Sequence, residues 1–490
     1  MTKVIVAFHD HVFLKIKCDD STAQELDDRF KFLVPNHQHI PLFKKRLWDG
    51  YIHLFQIRKR LIYTGLLHYI EEFCEEHNYD IEYEGDFSDN NISIFEAKDF
   101  IKSLGIPDNL ETRDYQVDAF VHCIRKKRCL LLSPTSSGKS LIMYFITRYL
   151  NKKTLIIVPN TTLIHQLEGD FASYGYTQNI HKIYSGQEKD SGEMVTIGTW
   201  QSIFKQPDQW FKEFQVVLAD ECHHLKAKSL IQLMTKTTTI PYKFGFTGSL
   251  DGLETNQMTL EGLLGALYRV TDAKSLIEQG FISDLKIKSI ILNHPKDHCN
   301  SLLAAQRKLI KAERKKRYKL EIDWLVAHGK RNRFITNLSL SLSGNTLILY
   351  RFVEKHGIPL YDMIKKDANI PVHLIHGLVD SEERNAIRAI VDASENSIIV
   401  ASQGTMSEGV NIININNIIF ASPSKSRILI LQSIGRGMRK SENKTVCNIF
   451  DIADDLSVGK HRNYTLNHLA QRMKYYIEEQ FNYKVYKVNL

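Results

Sequence analysis

The sequence predicts an α/β protein with two tandem parallel-sheet domains preceded by a small α+β domain. Three observations carry that expectation. Short apolar runs alternate with helix-period segments twice, over about residues 106–270 and again over 340–455, the pattern of parallel strands covered by helices on both faces. The first strand-to-helix junction, Ser133-Pro134-Thr135-Ser136-Ser137-Gly138-Lys139-Ser140, is built of small residues and closes in Gly-Lys-Ser. At 490 residues the chain also exceeds what one hydrophobic core supports. Three units are expected from that length, with two or four as alternatives.

Composition is that of an ordinary globular protein, with 43% hydrophobic and 24% charged residues. A net charge of +8 leans toward a polyanionic partner, although an excess of this size on a large surface also serves solubility. Seven cysteines are scattered without Cys-x-x-Cys pairs, so neither a disulfide framework nor a zinc site is indicated. The apolar run Val4 to Phe8 is too short for a signal-peptide core, and nothing approaches a membrane span. A cytoplasmic location, with no membrane partner, is expected.

Residues 1–90 are read as the N-terminal α+β domain, with strands at Val4–Phe8 and Val12–Ile16, a helix from Thr22 to about Phe32 capped by Ser21, and a connector from Glu82 to Asn90. Basic and aromatic residues interleave at Phe43, Lys44, Lys45, Arg46, Trp48 and Tyr51. They are either a nucleic-acid surface, with cations on phosphates and rings free to stack, or a core ringed by solvated charge.

Residues 91–272 are the first parallel-sheet domain, with a helix near Glu96–Leu104 and strands at Cys129–Ser133, Thr154–Val158, Val195–Gly198, Val216–Asp220 and Lys243–Thr247. Residues 273–460 form the second, opening with a looser, helical and strongly basic stretch. From Gln306 to Leu320 that stretch reads as one cationic helix containing Arg314 and Lys315, favoured for phosphate contact. Strands follow at Thr346–Tyr350, Val372–Ile375, Ser397–Ala401, Asn417–Phe420 and Thr445–Phe450. Residues 461–490 are a C-terminal helical tail.

Chemistry belongs at the carboxyl ends of such strands. The Gly-Lys-Ser junction has the layout of a phosphate-binding loop: helix N–H groups face the phosphates, Lys139 reaches the β- and γ-phosphates, and the Ser140 hydroxyl can ligate Mg²⁺. Thr135, Ser136, Ser137 and Gly138 complete the cradle, although Ser133 stands where the first consensus glycine is expected. Asp220-Glu221 follows an apolar strand, so Asp220 can hold Mg²⁺ while Glu221 activates the attacking water. Clustering of Cys222, His223 and His224 lacks the second ligand group that zinc spacing requires. Gln116, beside Arg113, offers an amide suited to an adenine edge. The strand-end loops at Thr161 and at Thr199-Trp200-Gln201 suit phosphate-backbone contacts. Arg436 and Arg439, three apart on an expected helix, share one face and could serve as arginine fingers.

In this order, Gln116 through Arg439 resembles the motif set of superfamily 2 helicases, with a DExH-type Asp220 to His223. The whole chain resembles the UvsW-type ATP-dependent DNA helicases of T-even-like bacteriophages through Arg46-Leu47-Trp48-Asp49-Gly50, Gly198-Thr199-Trp200-Gln201, Lys205-Gln206-Pro207 and the terminal Phe481 to Leu490. The resemblance implies two RecA-like domains behind a DNA-binding N-terminal domain, with ATP and Mg²⁺ as cofactors. It places Gly409 and Gln432 at the nucleotide, Ser402 and Gln403 at nucleic acid together with Lys45, Arg46 and Trp48, and Thr247 and Ser249 in coupling. The implied activity is branch migration, unwinding of forks and of R-loops or D-loops, and strand annealing, in phage recombination, repair and replication. The implied partners are DNA, RNA–DNA hybrids and single-strand-binding or recombination proteins, the enzyme itself acting as a monomer. A DExH RNA helicase, a double-strand translocase without strand separation, and a non-catalytic DNA-binding protein are the competing readings.

Overall fold

A computed structural model describes residues 2–34, 37–107, 110–184, 192–224, 227–250, 254–309, 314–407, 412, 414–439 and 444–490. The chain forms two compact units, residues 1–133 with 138–270, and residues 134–137 with 271–490.

In the first unit, the N-terminal residues build a five-stranded sheet in the order Phe55–Gln56, Leu61–Tyr63, Phe13–Lys17, Lys3–Phe8, Asp80–Glu84. The helices Asp20–Arg29 and Leu67–Glu76 supply Leu26, Ile70 and Phe73 to a core with Val4, Leu14 and Ile62. Two expectations change here. The first helix is capped by Asp19, whose carboxylate accepts from the Thr22 N–H at 2.9 Å, and not by Ser21; it stops at Arg29, which frees Lys31–Leu33 to pair with Tyr51–His53. Glu82 to Glu84, expected in a connector, ends a strand parallel to Lys3–Phe8. Acidic side chains suit that position because the strand is an edge, where charge faces water and discourages further pairing.

The basic and aromatic segment lies between the two short strands Lys31–Leu33 and Tyr51–His53. Phe43, Trp48 and Tyr51 are only partly buried and stand outside the domain's core, and Leu47 is 72% exposed. Of the two readings, the core assignment therefore fails for these rings.

The N-terminal sheet shares its core with the domain that follows. The segment Thr64–Leu66 packs on the helix Glu254–Leu264 so closely that a Cβ on Gly65 would stand 1.9 Å from the Glu261 carbonyl oxygen. His68 Nε2 lies 3.2 Å from Glu261 Oε2, and the His11 carbonyl accepts from Lys243 Nζ at 2.6 Å and Arg128 Nη2 at 3.2 Å.

The second sheet of this unit has seven parallel strands in the order Ile180–Ile183, Val195–Thr199, Thr154–Val158, Val216–Ala219, Tyr242–Thr247, Arg128–Leu132, Leu267–Arg269. Alternate residues along each strand serve opposite faces. Cys129, Leu131, Ile156 and Leu218 meet Phe120, Phe145 and Phe171 of the helices on one side, while Leu130, Leu155 and Val217 turn toward the core shared with the N-terminal domain.

The second unit repeats the plan, with Val372–Ile375, Ile398–Ser402, Thr346–Tyr350, Asn417–Phe420, Val446–Asp455, Asp284–Asn293 and Tyr483–Asn489 in one parallel sheet. The strand Asp284–Asn293 falls in the stretch read as loosely helical, and the tail ends in a strand that pairs with it, Ile287 opposite Tyr483. The tail helix Tyr464–Glu478 is tied down by Arg472, whose guanidinium donates to both Asp451 oxygens at 2.9 and 2.7 Å while Tyr476 donates to the same carboxylate at 2.9 Å. The basic stretch is two helices, Lys296–Lys308 and Arg314–Ala327, because Leu309 turns extended. Among the described residues no helix is long and apolar enough to cross a membrane.

Candidate nucleotide and nucleic-acid site

Parallel register brings the strand-end motifs of the first unit to one edge. Thr247 lies opposite Leu132, and Ala219 opposite both Gly245 and Ile157, so the residues after all four strands emerge side by side. The Ser133 N–H then donates to the Thr247 carbonyl at 2.9 Å.

Gly138 caps the helix Lys139–Leu150 in the left-handed region at φ +83°. A Cβ there would meet Gln116 Nε2 at 2.2 Å, so both conformation and space demand glycine. The helix it opens presents unpaired N–H groups and the positive end of its dipole, an anion site.

Lys139 Nζ donates to Glu221 Oε1 at 2.6 Å, with both side chains largely buried. Burial alone would lower the Lys139 pKa, but the Glu221 and Asp220 carboxylates outweigh it and raise it. Burial, and then the neighbouring Glu221 charge, pushes Asp220 up to about 7. Glu221 is a non-glycine residue at φ +43°, and its N–H donates to Asp220 Oδ1 at 2.9 Å. Holding that conformation costs of order 1–3 kcal/mol, the kind of strain that concentrates at working sites.

Two more side chains complete this edge: His223, which the sequence places in the Asp220 to His223 motif without a role of its own, and Tyr174, which it does not mark. His223 Nδ1 lies 3.4 Å from Glu221 Oε2 and 2.6 Å from Thr247 Oγ1, and Thr247 Oγ1 donates to the Ser249 carbonyl at 2.8 Å. His223 is thus hydrogen-bonded to Thr247 and stands at ion-pair distance from the Glu221 carboxylate. The Tyr174 hydroxyl lies 2.8 Å from Ser140 Oγ. Ser140 and Asp220 offer a hydroxyl and a carboxylate, hard oxygen donors that fit Mg²⁺ with water filling the remaining positions.

Gln116 is 3% exposed, and its Oε1 accepts from the Arg113 N–H at 2.9 Å, so one side of its amide is engaged at a helix start. Arg113 Nη1 donates to the Tyr115 hydroxyl at 2.6 Å. Ser137 Oγ donates to the Pro134 carbonyl at 2.7 Å, and Ser136 takes a left-handed φ of +70°; Thr135 precedes it in the same turn.

The loops expected to meet nucleic acid fall as follows. Thr161 is exposed at the start of the helix Thr161–Ser173, capped by Asn160, and Gln201 Nε2 donates to the Pro159 carbonyl at 3.3 Å, linking the two loops. Thr199 Oγ1 donates to Ser202 Oγ at 2.9 Å, while Trp200 packs partly buried against the core. Lys45 and Arg46 are exposed, and Trp48 Nε1 donates to the Tyr51 carbonyl at 2.7 Å.

In the second unit, Ser402 Oγ and Thr405 Oγ1 are 2.7 Å apart, and Ser402 and Gln403 are only 8% and 4% exposed. Gln432 and Arg436 lie on the helix Arg427–Gly437, but Arg439 lies past its C-cap Met438, so the shared helical face expected for the two arginines does not exist. Gly437 and Met438 end the helix first. Gly409 lies outside the described residues, as do the side chains of Arg314 and Lys315 at the start of their helix.

The family described as DNA helicase UvsW, N-terminal, matches residues 3–84. The type III restriction enzyme res subunit family matches residues 109–251, and the helicase conserved C-terminal domain matches residues 329–441. The ATP-dependent DNA helicase uvsW of Enterobacteria phage T4 is 33% identical over 512 residues, covering 99% of each chain. The crystal structure of T4 UvsW matches at a TM-score of 0.52 and 31% identity, again over 99% of both chains. The DNA 3'-5' translocase XPB2 of Sulfurisphaera tokodaii is 22% identical over 71% of this chain and 83% of its own. A DNA-bound type ISP restriction-modification enzyme, LlaBIII, shares the fold at a TM-score of 0.55 and 15% identity.

Proposed function

The chain belongs to the UvsW family of ATP-dependent DNA helicases, and from that premise we propose that it hydrolyses ATP to remodel branched DNA. One observation supports this most strongly: Lys139 and Glu221, the cation that seeks phosphate and the carboxylate that activates water, meet at 2.6 Å on the carboxyl edge of the first parallel sheet.

Gly138 and the N–H groups that follow it hold the phosphates, and Lys139 exchanges its Glu221 partner for the γ-phosphate. Glu221, released, orients water and takes up its proton. Ser140 and Asp220 would hold Mg²⁺, which neutralises charge on the phosphate oxygens. His223, beside Glu221 and hydrogen-bonded to Thr247, couples the state of the γ-phosphate to the strand-end loops that grip the DNA backbone.

Lys45, Arg46 and Trp48 engage the branch point, with cations on phosphates and the partly exposed indole against unstacked bases. Such contacts read structure rather than sequence, so forks, junctions and R-loops or D-loops are the substrates, RNA–DNA hybrids among them. The enzyme works as a monomer in the bacterial cytoplasm beside single-strand-binding and recombination proteins. ATP hydrolysis measured with fork, four-way junction, linear single strand, linear duplex and RNA tests the reading. Strongest stimulation by the branched molecules supports it; strongest stimulation by RNA, or by unbranched duplex without strand separation, replaces it.

A further inference from the structure

We propose that Tyr174 is a positioning residue for ATP hydrolysis, holding the Ser140 hydroxyl in place for the magnesium ion; this rests on the nucleotide-site reading above. Its hydroxyl lies 2.8 Å from Ser140 Oγ, and the residue is 9% exposed.

The backbone fixes Tyr174 where it is. It is the C-cap of the helix Thr161–Ser173, and Gly175 follows at φ +93°. The Gly175 N–H donates to the Ala172 carbonyl at 3.1 Å, and the Tyr176 N–H to the Phe171 carbonyl at 2.9 Å. Those two bonds, with a left-handed glycine between them, are a Schellman motif. Its usual apolar clasp is present too, with the Tyr176 and Phe171 rings 5.9 Å apart. The Tyr174 ring then packs 5.5 Å from Tyr144, one turn beyond Ser140 on the phosphate-loop helix. A locked helix end and a core contact thus deliver one phenolic hydroxyl to one serine.

A serine hydroxyl has one hydrogen and two lone pairs. At the second position of its helix, Ser140 has no preceding helical turn whose carbonyl could take that hydrogen. With the Ser140 proton on the Tyr174 oxygen, one of the two senses this contact allows, both serine lone pairs stay outward for a hard cation; with the Tyr174 proton on Ser140, one does. Tyr174 touches neither substrate nor metal and acts only through Ser140.

Tyr174→Phe keeps the ring and its packing while removing the oxygen. The binding of a fluorescent ADP analogue is measured in excess Mg²⁺ and in EDTA, for wild type, Tyr174→Phe, Ser140→Ala and the double variant. Wild type is expected to bind more tightly with Mg²⁺, and Tyr174→Phe to lose about fivefold of that advantage, the worth of one neutral hydrogen bond, with its EDTA affinity unchanged. In the Ser140→Ala background the tyrosine substitution should then have no further effect. An equal loss with and without Mg²⁺, no loss at all, or a loss that persists without the serine hydroxyl overturns the proposal. Wild type that binds ADP no better with Mg²⁺ overturns the nucleotide-site reading along with it.

Discussion

Lys139 Nζ and Glu221 Oε1 are joined at 2.6 Å across 82 residues of sequence. The pairing explains how a buried lysine stays charged: two carboxylates, Glu221 and Asp220, more than offset the cost of taking its ammonium out of water. It also means that each partner restrains the other until a phosphate competes for the lysine.

Glu221→Gln tests the role given to the carboxylate. The amide keeps the size and one acceptor oxygen but cannot take a proton. Turnover should fall by about 10²–10⁴, while nucleotide affinity stays within a few fold of wild type. Steady-state hydrolysis and a nucleotide titration on the same preparation separate the two; undiminished turnover would remove Glu221 from the mechanism.

Arg472→Ala addresses the second unit. The substitution leaves Asp451, fully buried, still accepting from the Tyr476 hydroxyl but without its cation, and breaking a buried pair from one side costs about 3–5 kcal/mol. A denaturant melt should show a loss of that size, and Arg472→Lys should restore only part of it, since an ammonium cannot bridge both carboxylate oxygens as the guanidinium does. A melt unchanged by Arg472→Ala would mean that the tail helix is held by its apolar contacts alone.

Acid should weaken the second unit through its buried histidines. Burial pushes His356 down to about 3, and its Nδ1 lies 3.0 Å from Ser422 Oγ. The unfolded chain takes up a proton near pH 6.5 and the folded chain does not, so stability is whole above 6.5 and falls as pH drops toward 3. From 6.5 to 5 the loss from this residue is about 2 kcal/mol, one and a half pH steps at about 1.4 kcal/mol each. His328 and His468, both pushed down to about 4, add in the same direction. Thermal melts from pH 7 to 5 should show the decline, and His356→Gln should flatten it. An unchanged slope in that variant would contradict the assignment.

Much of this architecture was legible because buried parallel strands are continuous apolar runs. Thr154–Val158 and Thr346–Tyr350 are buried at every position, and their bounds match the expectation. The strand Asp284–Asn293 escaped because Lys286 and Lys288 interrupt its apolar residues; in the fold Lys286 is exposed and Lys288 lies over the Phe450 ring, 5.0 Å from its centre. Tyr483–Asn489 alternates in the same way and is mostly exposed, as an edge strand should be. At the site, Gly138, Lys139, Asp220 and Glu221 could be found because a strand-end turn concentrates them in short segments. His223 with Thr247, and Tyr174 with Ser140, are contacts across 24 and 34 residues, set by strand order and a helix end rather than by spacing. The pairing of Arg436 with Arg439 failed for the opposite reason: their spacing suits a helix that Gly437 and Met438 bring to an end.

Movement on branched DNA is powered, on the reading proposed above, by the Lys139 and Glu221 site. Wild type and Lys139→Ala should be compared for strand displacement on a fork and a four-way junction, with ATP hydrolysis followed in the same reactions. Wild type is expected to hydrolyse ATP and displace strands on both substrates, and Lys139→Ala to lose both activities together while still binding the DNA. Strand displacement that survives in Lys139→Ala, or wild type that hydrolyses no ATP on branched DNA, would contradict that reading.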